Sequence, residues 1–269
     1  WTGDTSGIAN DLVAVHGSSA DNVWSVGLQG KILKYDGASW ADVSSPVTLD
    51  WADVWAGEVN KTVVVGAQGV IIRNDGEQWS EMVNPHAGTG ITTIWGNSWD
   101  DLYAGGNGFI IHYDGNEEGA WTSHASTFAV QTWRGVCGSG PDNVFVVGAG
   151  GAIIRWDGKK WGGVPMEPDQ PGDAENPPEP ITDLFYGCWA LDGDSAWAVG
   201  ENGRVVELDG GQFKKSDNPI PVSLRKVYAP KKNLVFAVGI EGLILTSRGV
   251  GTKWQPMNSG SVAGLFGLH

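Results

Sequence analysis

The sequence predicts an all-β protein, a β-propeller built from four-stranded antiparallel blades. Three observations support this: a template recurs along the 269 residues, each copy holds short β-rich runs separated by glycine turns, and no stretch has a helical pattern. The first copy spans residues 12–40 and reads LVAVHGSSADNVWSVGLQGKILKYDGASW. It contains four extended runs, and four strands at a period of about forty residues are typical of a propeller blade.

Four columns of residues align the six copies. The glycine that ends the second run recurs at spacings of 39, 39, 43, 52 and 39 residues, as Gly27, Gly66, Gly105, Gly148, Gly200 and Gly239. A turn glycine follows three residues later, at Gly30, Gly69, Gly108, Gly151, Gly203 and Gly242, and predicts a tight hairpin. An Asp-Gly turn begins at Asp36, Asp75, Asp114, Asp157 and Asp209, and becomes Arg248-Gly249 in the sixth copy. The next aromatic is Trp40, Trp79, Trp121, Trp161, Phe213 or Trp254.

The copies define six complete blades in one domain that covers residues 1–269. Their predicted bounds are 12–46, 51–84, 91–127, 133–166, 181–217 and 221–257. One long insertion, EPDQPGDAENPPEP, occupies residues 167–180. Because it is rich in proline and acidic residues, we expect it to be extended and solvated rather than a fifth strand.

Each end of the sequence matches one further strand of the template. Trp1 falls in the column of fourth-strand aromatics, and Ser261–Gly267 match the first strand. A propeller can close by building one blade from both termini, which leaves no open sheet edge. We therefore expect seven blades, the seventh taking its outer strand from 1–7 and its inner strand from 261–268. Its other strands would need roughly 20–25 residues beyond His269, by template length. Six blades are the alternative.

The composition limits the classes of partner. The net charge is −14, so nucleic acid and anionic membrane surfaces are disfavoured. No apolar run approaches the ~20 residues of a membrane span. The 15 tryptophans follow the repeat, and we expect most of them to pack between strands.

The Asp-Gly-x-x-Trp turn and the Val-Gly-x-x-Gly hairpin resemble the Asp-box (BNR-like) propeller superfamily. The template is similar to exported bacterial propellers of the photosystem II assembly/stability-factor type. The resemblance implies a propeller fold, usual export, and a binding or assembly role, and it carries over no catalytic residue. The Ser or Thr that the box places two residues before Asp is replaced here by Lys34, Arg73, His112, Arg155 or Glu207. Asp36 and Trp40 are also one residue closer than in the box. We expect the turn aspartates to cap their own turn amides.

Ligand-binding candidates are the residues that vary from copy to copy on one rim. In propellers, the loops from strand four to strand one share that rim with the turns from strand two to strand three, so the choice rests on analogy of fold. The candidates are Asp53, Arg134, Tyr186, Arg225 and Lys226, overhung by 167–180, and the hairpin tips Gln29, Gln68, Asn107, Glu201 and Glu241.

No catalytic or metal-binding residue is predicted. Arg134 and Arg225 share a column that Tyr186 occupies in the fifth copy, but sialidase chemistry needs a third arginine and a Tyr–Glu pair that the sequence does not display. Calcium is the one cofactor left open, at the loop acids Asp100-Asp101 and Asp192/Asp194, where turn capping is the preferred interpretation.

The two cysteines lie in the first strands of neighbouring copies with opposite parity. Side chains of opposite parity point to opposite faces of a strand, and adjacent blades meet through opposite faces. Cys137 and Cys188 could therefore meet between blades four and five. We hypothesise a disulfide, which would indicate an oxidising compartment; two small buried residues are the alternative.

Together these patterns predict an exported domain, whether periplasmic, at the cell surface or secreted. It would act as a non-enzymatic binding or scaffold module with a protein partner on the rim. A glycan-binding, lectin-like propeller is the alternative, and a sialidase-like glycoside hydrolase is third.

Overall fold

The computed structural model describes residues 7–116, 118–124, 132–170, 172 and 177–269. The chain divides into two compact units, unit 1 (residues 1–133 and 266–269) and unit 2 (residues 134–265). Each unit holds three four-stranded antiparallel sheets whose strands follow one another in chain order. These sheets are propeller blades.

In unit 1, blade one is β1 (Leu12–Ser19), β2 (Asn22–Gly27), β3 (Ile32–Tyr35) and β4 (Trp40–Val43); blade two is β5 (Trp51–Ala56), β6 (Thr62–Gly66), β7 (Ile71–Asn74) and β8 (Trp79–Glu81); blade three is β9 (Ile91–Ser98), β10 (Asp101–Gly106), β11 (Ile110–Tyr113) and β12 (Thr122–His124).

In unit 2, blade four is β13 (Trp133–Gly140), β14 (Asn143–Gly148), β15 (Ile153–Trp156) and β16 (Trp161–Gly163); blade five is β17 (Phe185–Asp192), β18 (Ser195–Gly200), β19 (Val205–Asp209) and β20 (Gln212–Lys215); blade six is β21 (Leu224–Lys231), β22 (Leu234–Gly239), β23 (Ile244–Ser247) and β24 (Gln255–Met257).

The prediction of seven blades is wrong, because the described residues form six. The stretch 261–268 contains no strand. In unit 2, Leu265 N–H donates to Gly239 O at 2.9 Å, so this segment lies beside the end of β22. In unit 1, Gly17 N–H donates to His269 Nδ1 at 3.3 Å, and Gly267 lies against Val15. Among the described residues, the motif therefore runs as a connecting segment and forms no strand pair. The predicted outer strand at 1–7 lies outside the described residues except for Gly7.

In the middle blade of each unit, alternating side chains of the second strand build two different cores. In β6, Val63 and Val65 join the cluster between blades two and three, whereas Val64 joins the one between blades one and two. In β18, Ala198 packs between blades four and five and Trp197 between blades five and six. Both faces of these strands are buried, which explains runs such as Thr-Val-Val-Val in place of polar alternation.

The hairpins between second and third strands are type I′ turns in five blades. In the first, Lys31 N–H donates to Leu28 O, and the central residues Gln29 and Gly30 have φ of 59° and 75°. Both positions are left-handed, which suits the twist of the flanking strands and explains the glycine of the second position. The first position is Gln29, Gln68, Gly150, Asn202 or Glu241.

Three of the five aspartates of the Asp-Gly turns cap their turns as predicted, whereas Asp209 is bound by Lys214 at 2.6 Å. Oδ1 of Asp36 accepts Ala38 N–H and Ser39 N–H, both at 2.9 Å, and Asp75 and Asp157 make the equivalent pairs of bonds. These bonds stabilise the carboxylate form and lower the pKa of each of the three side chains. The aspartates therefore serve the fold.

Candidate functional site

The first strand has a β-bulge near its start in the five blades for which the structure describes its pairing with the second strand. Each bulge displays one extra residue. The register with the second strand shifts across Val13, Ala52, Thr92, Tyr186 and Arg225. Arg134 holds the same sequence position in β13. A bulged residue lies outside the hydrogen-bonded ladder, and bulges often re-aim side chains beside functional sites. The sequence predicted the column but not the bulge.

In unit 2, the starts of the three first strands lie close together, because glycines at the contacts have no Cβ atom that would hold the strands apart. A Cβ atom added to Gly135 would lie 3.0 Å from Gly187 Cα, and one added to Gly187 would lie 2.6 Å from Arg225 O. This close approach of β13, β17 and β21 brings Arg134, Tyr186 and Arg225 into one series. We call it, together with Glu201 and Lys226, the inner-strand row.

The middle of the inner-strand row is pre-arranged by stacking. The Arg225 guanidinium carbon lies 3.9 Å from the centroid of the Tyr186 ring, a cation–π contact. The Tyr186 hydroxyl donates to Glu201 Oε1 at 3.4 Å, and Glu201 Oε2 accepts Leu184 N–H at 3.2 Å. The Tyr–Glu pair, which the sequence did not display, thus forms between β17 and the next hairpin.

The other predicted ligand residues have different environments. Arg134 is exposed, and Lys226 is half-buried. Asp53 is only 5 % exposed, and its two oxygens accept Val54 N–H and Ile94 N–H, both at 3.1 Å. It therefore links β5 to β9 inside unit 1 rather than facing a ligand.

Two of the predicted hairpin tips need separate treatment. Glu241 is exposed at its tip, with φ of 59°. In blade five the tip is Asn202, with φ of 53°, and Glu201 precedes it. The sequence alignment was shifted by one residue there, because both positions carry polar side chains.

The insertion forms an anchored strap, which we define as residues 165–170 and 177–180. Its beginning pairs with the edge of blade five: Glu167 N–H donates to Phe213 O, and Phe213 N–H donates to Pro165 O, both at 2.8 Å. Its two arms are joined by a bridge, in which Glu179 N–H donates to Gln170 O at 3.0 Å. The sequence predicted an extended, solvated insertion, whereas the structure shows that its beginning is hydrogen-bonded to β20.

Ion pairs fix the strap to the hairpin of blade five. The Arg204 guanidinium forms two bonds to Asp169, at 3.0 and 3.2 Å, and one to Asp183 at 2.8 Å. Lys215 Nζ lies 2.8 Å from Asp169 Oδ1. Hydrogen bonds from Lys215 and Arg204 lower the pKa of Asp169, so the carboxylate stays charged below the usual range of Asp.

Two clefts flank the strap and share Glu167 and Pro168. One, of about 550 Å³, is lined by Glu167, Pro168, Asp169, Lys215, Ser216, Asp217 and Asn218. The other, of about 460 Å³, is lined by Gly150, Gly151, Ala152, Ile153, Val164, Met166, Glu167, Pro168, Pro178, Pro180 and Ile181. Most residues that line the first cleft are polar, and most that line the second are apolar or glycine. The sequence placed the insertion above a rim but did not indicate these clefts.

Cys137 and Cys188 form a disulfide between β13 and β17, with their Cα atoms 5.8 Å apart. Cys137 is 1 % exposed and belongs to the core between blades four and five, and Cys188 packs against that core. This is the meeting of opposite-parity positions on which the hypothesis of a disulfide was based.

The described residues contain no cluster of three or more His, Cys, Asp or Glu side chains arranged to hold a metal ion. Of the loop acids considered for calcium, Asp101 Oδ1 lies 2.7 Å from His112 Nε2, and Asp192 Oδ1 accepts Asp194 N–H at 2.9 Å. Every tryptophan among the described residues is buried or half-buried, as expected for side chains that pack between strands.

No helix in the described part of the chain is long and apolar enough to cross a membrane.

No protein-family model and no curated protein matches the chain. Solved structures do match its fold. YCF48 bound to a D1 peptide has 15% identity and a TM-score of 0.67, over 92% of this chain and 80% of that one. YCF48 from Cyanidioschyzon merolae has 14% identity and a TM-score of 0.69, over 95% and 87%. Virginiamycin B lyase from Staphylococcus aureus has 10% identity and a TM-score of 0.70, over 89% and 84%. At this identity the likeness shows the propeller fold alone.

Proposed function

We propose that the chain is a non-enzymatic protein-binding module whose inner-strand row binds an extended, acidic segment of a partner polypeptide. The observation that carries the proposal is the row itself. Arg134, Arg225 and Lys226 lie on neighbouring strand starts of unit 2, in a chain whose net charge is −14. Basic side chains gathered in an acidic protein favour a ligand of opposite charge.

The geometry of Arg225 suits recognition of a carboxylate. A guanidinium presents a planar set of donors that can bind both oxygens of a carboxylate. Its stacking on Tyr186 restricts its rotamers before any ligand arrives, which reduces the entropy lost on binding. Arg134 is exposed at the start of β13, on the other side of β17 from Arg225, and can contact a second acidic residue of the same segment.

Structural neighbours support a binding role. One of them, YCF48, is bound to a peptide in its solved structure. The same propeller fold occurs in the WD40 domain of Doa1 and in the extracellular domain of BT4673 from B. thetaiotaomicron. Site chemistry rather than fold must decide the ligand.

The disulfide supports an exported location as part of this proposal. Disulfides persist in oxidising compartments and are rare in the reducing cytosol. Alkylation of the protein from its natural source, followed by mass spectrometry, tests this directly. In denaturant, Cys137 and Cys188 should resist alkylation until a reductant is added; alkylation without reductant in freshly lysed cells would contradict export.

A peptide array tests the binding function. Random 12-residue peptides should bind the wild-type chain in proportion to their acidic content. Arg134→Glu combined with Lys226→Glu should weaken that binding tenfold or more. Lys159→Glu is the control, because Lys159 is an exposed lysine of unit 2 on the Asp-Gly turn of blade four. Equal loss in the control would show a general charge effect, and hydrolysis of a fluorogenic sialoside by the wild type would contradict the non-enzymatic assignment.

A further inference from the structure

We propose that Arg155 and the small residues beside it form a docking site for an aromatic side chain of a partner polypeptide. We call this site the arginine notch, defined by Arg155, Phe145, Gly162, Gly193 and Leu208. It lies in unit 2 at the end of blade four that carries the Asp-Gly turn, whereas the inner-strand row lies at the hairpin end. The two sites share only the general protein-binding role.

The matching arginine of unit 1 contacts two aromatic side chains. The Arg73 guanidinium carbon lies 4.0 Å from the centroid of the Trp99 ring and 5.5 Å from that of the Tyr113 ring. Arg73 Nη1 also donates to the Tyr113 hydroxyl at 2.9 Å. Both rings belong to the following blade, in the β9–β10 turn and at the end of β11. Unit 1 thus supplies this arginine with a stacking partner and an acceptor.

Arg155 holds the same position in blade four, but both aromatic partners are replaced. It is the third residue of a third strand, two residues before the aspartate of the Asp-Gly turn, as in unit 1. The first residue of the next blade's two-residue turn is Gly193 here and Trp99 in unit 1. The residue before the next Asp-Gly turn is Leu208 here and Tyr113 in unit 1.

The guanidinium of Arg155 has no polar partner among the described residues. No hydrogen bond or ion pair reaches it there, and its Nε is buried without an acceptor. Its guanidinium carbon lies 5.5 Å from the centroid of the Phe145 ring, a cation–π contact with a fully buried side chain. A half-buried guanidinium without acceptors is costly, so a ligand that stacks on it gains from a favourable contact the fold does not provide.

Two glycines leave room beside Arg155. Gly162 pairs with Arg155 across β15 and β16, and a Cβ atom added there would meet no atom within 4 Å. Apart from its chain neighbours, a Cβ atom added to Gly193 would meet only Arg155 Nη2, at 3.7 Å. The open space therefore adjoins the guanidinium, at the turn position that Trp99 fills in unit 1.

The acids around Gly193 favour a neutral aromatic ligand over an anion. Asp192 and Asp194 flank Gly193, and neither forms an ion pair with Arg155; Asp192 Oδ1 accepts Asp194 N–H instead. Two carboxylates beside the notch would repel a phosphate or a carboxylate ligand. A tryptophan ring avoids this repulsion, is the best cation–π partner and often dominates the affinity of protein interfaces.

Gly193→Trp tests the stacking within the full chain. It restores the arrangement of unit 1, and φ at Gly193 is not left-handed, so a side chain fits the backbone there. We expect the ring current to move the Arg155 Nε–Hε resonance upfield in NMR spectra, with no fall in unfolding temperature. Lys232→Trp is the matched control, because Lys232 begins the same turn in blade six and the preceding blade carries Glu207 in place of the arginine.

Random 12-residue peptides test the docking. In about 1 M salt, where the Debye length is about 3 Å, charge contributes little, and binding to the wild type should rise with tryptophan content. The strongest tryptophan peptide is then labelled with fluorescein and titrated by anisotropy. Gly193→Trp, which fills the notch, and Arg155→Gln should each weaken its binding at least tenfold. Lys232→Trp should leave it unchanged, as should Arg134→Glu combined with Lys226→Glu.

Four results would overturn the proposal. The first is an unmoved Arg155 resonance in folded Gly193→Trp. The second is peptide binding that does not depend on tryptophan, and the third is binding that survives both notch variants. The fourth is competition by N-acetyl-tryptophanamide at the affinity of the peptide, since the ring alone would then be the ligand. Failure of the inner-strand row would instead show as acidic peptides that bind unchanged to Arg134→Glu combined with Lys226→Glu.

Discussion

Units 1 and 2 repeat the same blade but differ in the residues that the repeat leaves free. The bulge positions of unit 1 hold Val13, Ala52 and Thr92, and the matching positions of unit 2 hold Arg134, Tyr186 and Arg225. All five histidines belong to unit 1, and both cysteines belong to unit 2. The bulge of the first strand is common to both units, so the two units differ in the side chains that the bulge displays.

The difference extends to how neighbouring first strands are joined. In unit 1, the Asp53 carboxylate links β5 to the Ile94 amide of β9. In unit 2, the equivalent positions are Gly135 and Gly187, where the strands approach backbone to backbone, and a disulfide lies one or two residues further along. Neighbouring first strands are thus joined by a carboxylate–amide hydrogen bond in unit 1 and by a disulfide in unit 2.

The largest effect should come from removing the disulfide. Cys137→Ala with Cys188→Ala opens a loop with a sequence separation of 51 residues, and chain entropy predicts a loss of about 4 kcal/mol in the free energy of unfolding. Hydrogen exchange measured by mass spectrometry should show the loss in the strands of unit 2. Reduction of the wild type is the control and should match. Equal loss of protection in unit 1 would show that the two units unfold as one.

A side chain at Gly187 should have the next largest effect. Gly187→Ala would press a methyl group onto the backbone of Arg225 and Lys226, and the resulting overpacking should cost about 3 kcal/mol. The control is Gly162→Ala in β16, where a Cβ atom would meet no atom within 4 Å and φ is not left-handed. Urea denaturation compares them. A loss of less than about 0.5 kcal/mol for Gly187→Ala would mean that the strands can separate without penalty.

The sequence was sufficient to predict the blades because their signals are local. Alternation, turn glycines and the Asp-Gly turn each act within a few residues, so four-stranded antiparallel sheets followed from the template. The number of blades was wrong because a single strand motif such as 261–268 does not show whether it has partners. What decides the outcome is the contacts of Leu265 and His269 with distant strands.

The repeat alignment predicted which residues of the candidate site share a position, but not the contacts between them. Arg134, Tyr186 and Arg225 align in the repeat, yet their bulge depends on the register between two strands. The Tyr186–Glu201 contact joins residues from different columns, so no repeat alignment displays it. The sequence placed Asp53 on the rim because its column varies. The structure shows that the side chain is buried and accepts a hydrogen bond from β9.

Acid should distinguish unit 1 through His124. Burial, with the nearby His112, lowers the pKa of His124 to about 4, below the usual 6.5. A lowered histidine pKa gives stability that is present above pH 6.5 and is lost as pH falls toward 4, because the unfolded chain takes up the proton first. The contribution is on the order of 2 to 3 kcal/mol.

His124→Gln tests this pH dependence. The variant should flatten the dependence of unit 1 stability between pH 6.5 and 4, measured by hydrogen exchange at several pH values. Asp101, His112 and Tyr103 surround the same site, so His112→Gln serves as the comparison. Unit 2, which holds no histidine, should change less over this range. An unchanged slope in His124→Gln would assign the effect to another group.

The smallest effect should come from the left-handed hairpin tips. Glu241 in unit 2 holds φ of 59° and is exposed, so Glu241→Gly should relieve left-handed strain and stabilise the chain by about 0.5 kcal/mol after the added entropy of the unfolded state. In unit 1, Gln29 has the same φ, but its side chain accepts a hydrogen bond from Asn10 at 3.1 Å. Gln29→Gly should therefore gain less. Thermal unfolding of both variants compares the two hairpins, and a larger gain at Gln29 would show that the Asn10 contact contributes nothing to unit 1.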